Sequence, residues 1–229
     1  MSVKSNLEKI QTKINELKKQ TNRENIKLIP VSKFHKIESI QEAREQGYES
    51  FGESYVQELK QKFDEFKVKK IAQPTWHFIG HLQTNKVKYI APFVDTIHTV
   101  DSIKLAEEIN KRAEQNNRII KILIQINTSG EASKHGINPD EINELIEKIN
   151  LLKNINLIGF MTIAGLEASP EENEKEFELL AKILKEVNQK FNLSLSELSM
   201  GMTSDYELAI KQGSTMIRIG TAIFGERGY

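Results

Sequence analysis

Ile119-Ile120-Lys121-Ile122-Leu123-Ile124-Gln125-Ile126 is apolar at all but two positions. A half-exposed strand would alternate. A run this continuous predicts a strand covered on both faces, the habit of parallel sheets flanked by helices. Working outward, a helix over 103–115 and a strand over 96–100 precede it. A helix over 139–149, with Asn138 as its cap, and a strand over 157–161 follow it. The same beat reaches both ends. Strands are predicted at 27–31, 49–51, 75–79, 195–199 and 216–219. Helices fall at 37–46 (stopping at Gly47), at 55–66 with Tyr55, Leu59, Phe63 and Phe66 on one face, at 84–91, from Pro170 to about Gln189, and at 206–212. An opening helix over 3–19 carries Leu7, Ile10, Ile14 and Leu17 at helical spacing.

Eight strands, each followed by a helix or by a short tail, predict an α/β protein with the (β/α)8 TIM barrel architecture. An open doubly wound sheet is the competitor, because periodicity does not reveal closure. No linker or composition break divides the chain, so one domain over 1–229 is expected. The opening helix would be an addition covering the bottom or side of the barrel.

Composition narrows the function classes. Acidic and basic residues number 32 each, so no global field favours nucleic acid or an anionic membrane. The absence of cysteine excludes disulfide and thiolate chemistry. No signal-like segment and no apolar run of spanning length occur, so a cytoplasmic protein without a membrane partner is expected.

In such barrels the active site lies at the C-terminal strand ends. Leu28-Ile29-Pro30-Val31-Ser32-Lys33 is an apolar strand ending on a lysine, and a buried amine can act as a nucleophile toward an aldehyde. A lysine that snorkels to the surface is the plainer reading. Gly201-Met202-Thr203-Ser204 leads into a helix, and Gly220-Thr221 follows the last strand. These are the positions at which barrels often hold phosphate. Arg218, inside the last strand, needs either a buried carboxylate or a ligand acceptor. His35, His77, His81, His98 and His135 lack the spacing of a zinc site, and no metal is expected. Lys60, Lys62, Lys67, Lys69 and Lys70 read as a solvated helix end, and Lys134 as a solvent-facing loop lysine.

Several stretches carry a resemblance: Pro30-Val31-Ser32-Lys33, Phe51-Gly52-Glu53-Ser54-Tyr55, Trp76-His77-Phe78-Ile79-Gly80-His81, Ser199-Met200-Gly201-Met202 and Arg218-Ile219-Gly220-Thr221. Over about residues 28–227 the chain resembles the pyridoxal-phosphate homeostasis protein family, also called the YggS/PROSC family. The resemblance implies a fold type III barrel like the N-terminal domain of alanine racemase, binding pyridoxal 5′-phosphate. It implies Lys33 as the Schiff-base (aldimine) lysine, and Thr203 with the backbone of Gly220 and Thr221 around the phosphate. It also implies Arg218 at the pyridine nitrogen, with Ser54, Met200 and Gly201 among the contacts. Two departures stand out. The family's Ser-Lys-Thr-Lys is Ser32-Lys33-Phe34-His35 here, and its Gly-Glu-Asn-Tyr is Gly52-Glu53-Ser54-Tyr55.

An arginine opposite the ring nitrogen disfavours a proton there, which weakens the ring as an electron sink. The sequence ends at Tyr229 soon after the eighth strand, so the second domain that supplies a racemase's other acid/base group is not expected. The expectation is therefore a monomeric carrier that buffers the cofactor and delivers it to apo-enzymes, with no catalytic residues. An amino-acid racemase or other pyridoxal-phosphate enzyme is the alternative, and a cofactor-free Schiff-base aldolase the third reading.

Overall fold

The computed structural model describes residues 2–131, 134–165 and 168–225. Its strands are β1 (Lys27–Pro30), β2 (Ser50–Glu53), β3 (Thr75–Phe78), β4 (Thr96–Val100), β5 (Ile120–Gln125), β6 (Ile155–Met161), β7 (Glu197–Ser199) and β8 (Met216–Ile219). All pair in parallel, in the order β1-β8-β7-β6-β5-β4-β3-β2. A bridge between Val31 and Gly52 joins β1 to β2 and closes the ring. The barrel, not the open sheet, is the fold.

Closure also corrects the reading of β2. The strand runs two residues further than predicted, so Glu53 belongs to a buried strand and not to a loop. Gly52 makes this possible: a Cβ there would press against Ile79, Ile29 and Val31 at 3.2–3.4 Å. At β5 the continuous apolar run behaves as expected in its interior. Ile119, however, is exposed just before the strand, and Ile126 bridges to Ile137 after it.

The helices are α1 (Val3–Thr21), α2 (Ile37–Arg44), α3 (Val56–Val68), α4 (Val87–Ile90), α5 (Ile103–Gln115), α6 (Ile142–Ile149), α7 (Pro170–Phe191), α8 (Tyr206–Lys211) and α9 (Thr221–Phe224). Thr84–Lys86 and Pro139–Glu141 are 3₁₀ turns that lead into α4 and α6, where longer helices were predicted. Asn138 caps the second of these turns in a capping box with Glu141. The short helix α9 occupies what reads in the sequence as a tail.

In α1, Leu7, Ile10, Ile14 and Leu17 are all buried against the side of the barrel, where the helix meets α2, α8 and α9. Each such side chain contributes about 1.5–3 kcal/mol on burial, enough to hold a largely polar helix in place. Among the described residues no helix is long and apolar enough to cross a membrane.

Candidate functional site

The C-terminal mouth of the barrel gathers Lys33, Ser54, Arg218 and the loops after β7 and β8. Ser32 leaves β1 with its N–H bonded to Gly52 O at 3.1 Å, and Lys33 is half-buried in the turn that follows. Phe34 then adopts φ 67, a left-handed conformation unusual for an aromatic residue. Glu58 holds it there by accepting the Phe34 N–H at 2.5 Å.

The same Glu58 oxygen accepts from Lys62 Nζ at 2.7 Å. Lys62 also donates to Ser32 O and to Glu53 Oε1, each at 2.7 Å, and Ser32 Oγ donates to Glu53 Oε1 at 2.6 Å. Both chain neighbours of Lys33 are thus fixed by one buried ion-pair cluster. Lys62 is 5 % exposed, which overturns its reading as part of a solvated run. The reason is the seating of α3: Tyr55, expected on the apolar face, precedes the helix and is exposed against Phe34, while position 62 faces the barrel. Burial pushes the Glu53 carboxyl up to about 7, although Lys62 and Ser32 pull the other way. Its Oε2 has no hydrogen-bond partner among the described residues.

Arg218 is buried at 4 % exposure, and its partners are neutral. Nη1 donates to Ser199 Oγ at 2.6 Å and Nη2 to Thr162 O at 2.9 Å. Among the described residues no ion pair to Arg218 is found. Of the two partners expected, a buried carboxylate or a ligand acceptor, the carboxylate is not in contact, and a hydroxyl and a carbonyl stand in its place. Burial lowers the guanidinium to about 10 against the pull of Asp205, so it remains a cation at neutral pH. A guanidinium has five N–H donors, and those not engaged by Ser199 and Thr162 suit a ligand acceptor.

Behind Arg218 a chain of hydrogen bonds runs down the barrel interior. Ser199 Oγ meets His98 Nδ1 at 2.8 Å, His98 Nε2 meets His77 Nδ1 at 2.8 Å, and His77 Nε2 meets Lys27 Nζ at 3.2 Å. Lys27 and His77 line a cavity of about 1010 Å³ at the opposite, N-terminal end. Burial, Lys27 and Lys121 hold His77 down at about 3. Burial, His77, Arg218 and Lys27 hold His98 well below the ordinary imidazole value. Both rings are therefore uncharged and each carries one N–H. If Lys27 is an ammonium it donates to His77, and every donor along the chain points toward Ser199. If it is a neutral amine its lone pair can accept instead, and the chain can then run the other way, with Ser199 donating to His98.

The loops after β7 and β8 follow paired strands (Ser199 opposite Met216). Gly201 takes φ 95, and a Cβ there would come within 2.7 Å of Ala209, so the turn into α8 requires glycine. Not every N–H of this loop is open: Met202 N–H goes to Asp205 Oδ1 at 2.6 Å. The N–H groups of Thr203 and Ser204, and of Thr221 and Ala222, donate to no protein acceptor among the described residues. These unsatisfied donors, with the exposed Thr203 and Thr221 hydroxyls, fit a phosphate. Ser54 sits at the end of β2 against Gly80, where a Cβ would meet Ser54 O at 2.0 Å. Met200 is brought to the same end but is fully buried in the apolar core.

Sequence reasoning missed Glu53, Glu58 and Lys62 beneath Lys33, and His98 and Ser199 behind Arg218. The available signal was polar residues inside otherwise apolar strands: His77, His98, Ser199 and Arg218. Lys134 Nζ lies 2.7 Å from Glu131 Oε1 and is partly buried, not solvent-facing as predicted. Ala132 and Ser133 of its loop, and the predicted end of the resemblance at Arg227, lie outside the described residues.

The family described as "Alanine racemase, N-terminal domain" matches residues 5–228. A pyridoxal phosphate homeostasis protein of Aquifex aeolicus is 42% identical over 203 residues, covering 89% of this chain and 88% of that one. PipY of Synechococcus elongatus PCC7942, solved with PLP bound, superposes with a TM-score of 0.83 at 34% identity, covering 93% of this chain and 99% of PipY. Alanine racemase of Clostridium difficile 630 has a TM-score of 0.71 at 19% identity, covering 96% of this chain and 57% of the racemase. It shares the barrel fold.

Proposed function

Because the chain belongs to the pyridoxal phosphate homeostasis proteins, within the alanine racemase N-terminal-domain family, we propose that it binds pyridoxal 5′-phosphate at the C-terminal mouth and holds it through Lys33. In this reading the protein buffers the cofactor and delivers it to apo-enzymes in the cytoplasm, as a monomer, with little or no turnover. The observation that carries it is Arg218, a buried cation with only neutral partners. An uncompensated charge in a core persists where something else needs it.

When bound, the cofactor supplies an aldehyde carbon that forms a reversible bond to an amine, and an electron-withdrawing ring. The chain's own residues do the rest. The Glu53–Lys62–Glu58 cluster fixes Ser32 and Phe34, so Lys33 is presented from a rigid turn. The N–H groups of Thr203, Ser204, Thr221 and Ala222, without a protein acceptor among the described residues, would hold the phosphate. Arg218, held by Ser199 and Thr162, would stand at the ring nitrogen and disfavour a proton there, which would limit carbanion chemistry. Ser54 offers a hydroxyl at the mouth.

Borohydride reduction of the protein incubated with pyridoxal phosphate, followed by peptide mapping, is expected to give an adduct at Lys33 that Lys33→Ala abolishes. Wild-type protein that yields no reduced adduct at Lys33 ends this reading. Turnover of L-alanine or L-serine above about 1 per second would establish the racemase alternative instead.

A further inference from the structure

The five histidines divide by what their ring nitrogens do. Those of His77 and His98 are committed to the interior chain, and the His35 ring packs on Phe224. His81 and His135 are different. Their rings stack with centroids 4.0 Å apart and planes 12° from parallel, and among the described residues no ring nitrogen of either is hydrogen-bonded to protein. Asp101 lies beside them, with Oδ2 3.9 Å from His81 Nδ1, too long for a hydrogen bond. Its carboxylate has no other charged partner among the described residues. One ligand atom from each of the three residues lies within 4.8 Å of the others.

From this convergence we infer that His81, Asp101 and His135 form a binding site for a divalent transition metal of the Zn²⁺ class on the rim of the barrel. The three residues come from the loops after β3, β4 and β5, neighbours in the ring, so closure of the barrel assembles the set from sequence positions 20 and 34 residues apart. Two imidazoles and one carboxylate suit Zn²⁺, Co²⁺ or Ni²⁺ and not Mg²⁺ or Ca²⁺, which favour all-oxygen shells. Zinc ligands stand about 2.0–2.2 Å from the ion, so the ligand atoms must draw in by about an ångström, with one ring turning about χ2. His81 and His135 are exposed and Asp101 is half-buried, so this adjustment leaves the core untouched.

Three protein ligands leave a tetrahedral ion one open position for water or an oxygen of an entering ligand. Among the described residues no acceptor holds the other ring nitrogen of either imidazole, which makes this an exchangeable site and not a structural one. A bound ion ties three rim loops together across the mouth from the β7 and β8 loops, because β4 lies four strands from β8 in the ring. No residue is shared with the Lys33 reading, so the two stand or fall separately.

The test uses the full chain stripped of metal by a chelator and free of pyridoxal phosphate. Titration with Co²⁺, read by its visible absorption, and with Zn²⁺, read by calorimetry, is expected to show one saturable site per chain. His81→Ala, His135→Ala and Asp101→Asn should each weaken binding by at least about tenfold, and His35→Ala should leave it unchanged. In the wild type, Co²⁺ should shift the His81 and His135 ring resonances more than those of His77 and His98, a result that does not depend on any variant folding. The inference is overturned by the absence of 1:1 saturable binding, by unchanged affinity in the His81→Ala/His135→Ala double variant, or by Co²⁺ shifts centred on other histidines.

Discussion

Lys62 and Arg218 are both cations removed from water near the same mouth, and they are held in opposite ways. Lys62 contacts two carboxylates, Glu53 and Glu58, and a backbone carbonyl, while Arg218 contacts a hydroxyl and a carbonyl. The first is a closed electrostatic unit that shapes the Lys33 turn. The second has charge left over. A buried charge in contact with its counter-charges serves the fold, whereas one whose contacts are neutral, with only the more distant pull of Asp205, is set for a ligand.

The largest expected effect tests the first half of that contrast. Above about pH 7, where Glu53 is ionised, Lys62→Met leaves the Glu53 and Glu58 carboxylates without their shared cation and should lower stability by about 3–5 kcal/mol, read from urea denaturation. Adding Glu53→Gln should recover part of that loss, because the buried carboxylate that needed the cation is gone. If the two changes simply add, the residues are not one unit.

The next effect is in pH. The folded protein holds the Glu53 proton up to about pH 7, whereas the unfolded chain releases it near the ordinary carboxylate value of 4.5. Between those values the folded state binds more protons. The contribution of this group is therefore complete below about 4.5 and lost as pH rises toward 7. Glu53→Gln should flatten that part of the stability profile. An unchanged slope would assign it elsewhere.

Arg218→Met probes the other half. With no carboxylate in ion-pair contact to strand, the cost of leaving Thr162 O without its donor is offset by removing a buried charge. Stability should change by less than about 2 kcal/mol while the absorption and affinity of the pyridoxal phosphate complex are altered. A loss as large as that of Lys62→Met would make Arg218 a structural residue and weaken the proposed function.

The smallest effect is a rearrangement of protons. Lys27→Met removes the group at the far end of the interior chain. Two-bond ¹⁵N–¹H spectra should then show His77 and His98 both as Nε2–H tautomers, the arrangement in which Ser199 donates to His98. If wild-type Lys27 is charged, both rings change tautomer together on substitution. Rings that adopt different tautomers from one another would break the chain as drawn.

Much of the fold is legible in the residue order because its signals are local. The continuous run at β5, the helical spacing of Leu7, Ile10, Ile14 and Leu17, and the capping box at Asn138 each lie within a few turns of chain. The site is legible where it hangs on strand ends: Lys33 after β1, the glycine loops after β7 and β8, and Arg218 within β8. Lys62 was misread because nothing in a run of lysines tells which one the helix turns inward. His81 and His135 were set aside with the other histidines because metal spacing was sought along the chain, and Asp101 carried no signal that it would meet them.

The amino-acid order alone determined the eightfold alternation of strand and helix, and with it the placing of Lys33 and the phosphate-loop candidates at one end of the barrel. Only the tertiary structure decided which charges are buried, which are paired and which histidines meet. Those contacts join strands remote in sequence, and their geometry exists only once the ring has closed and its register is set.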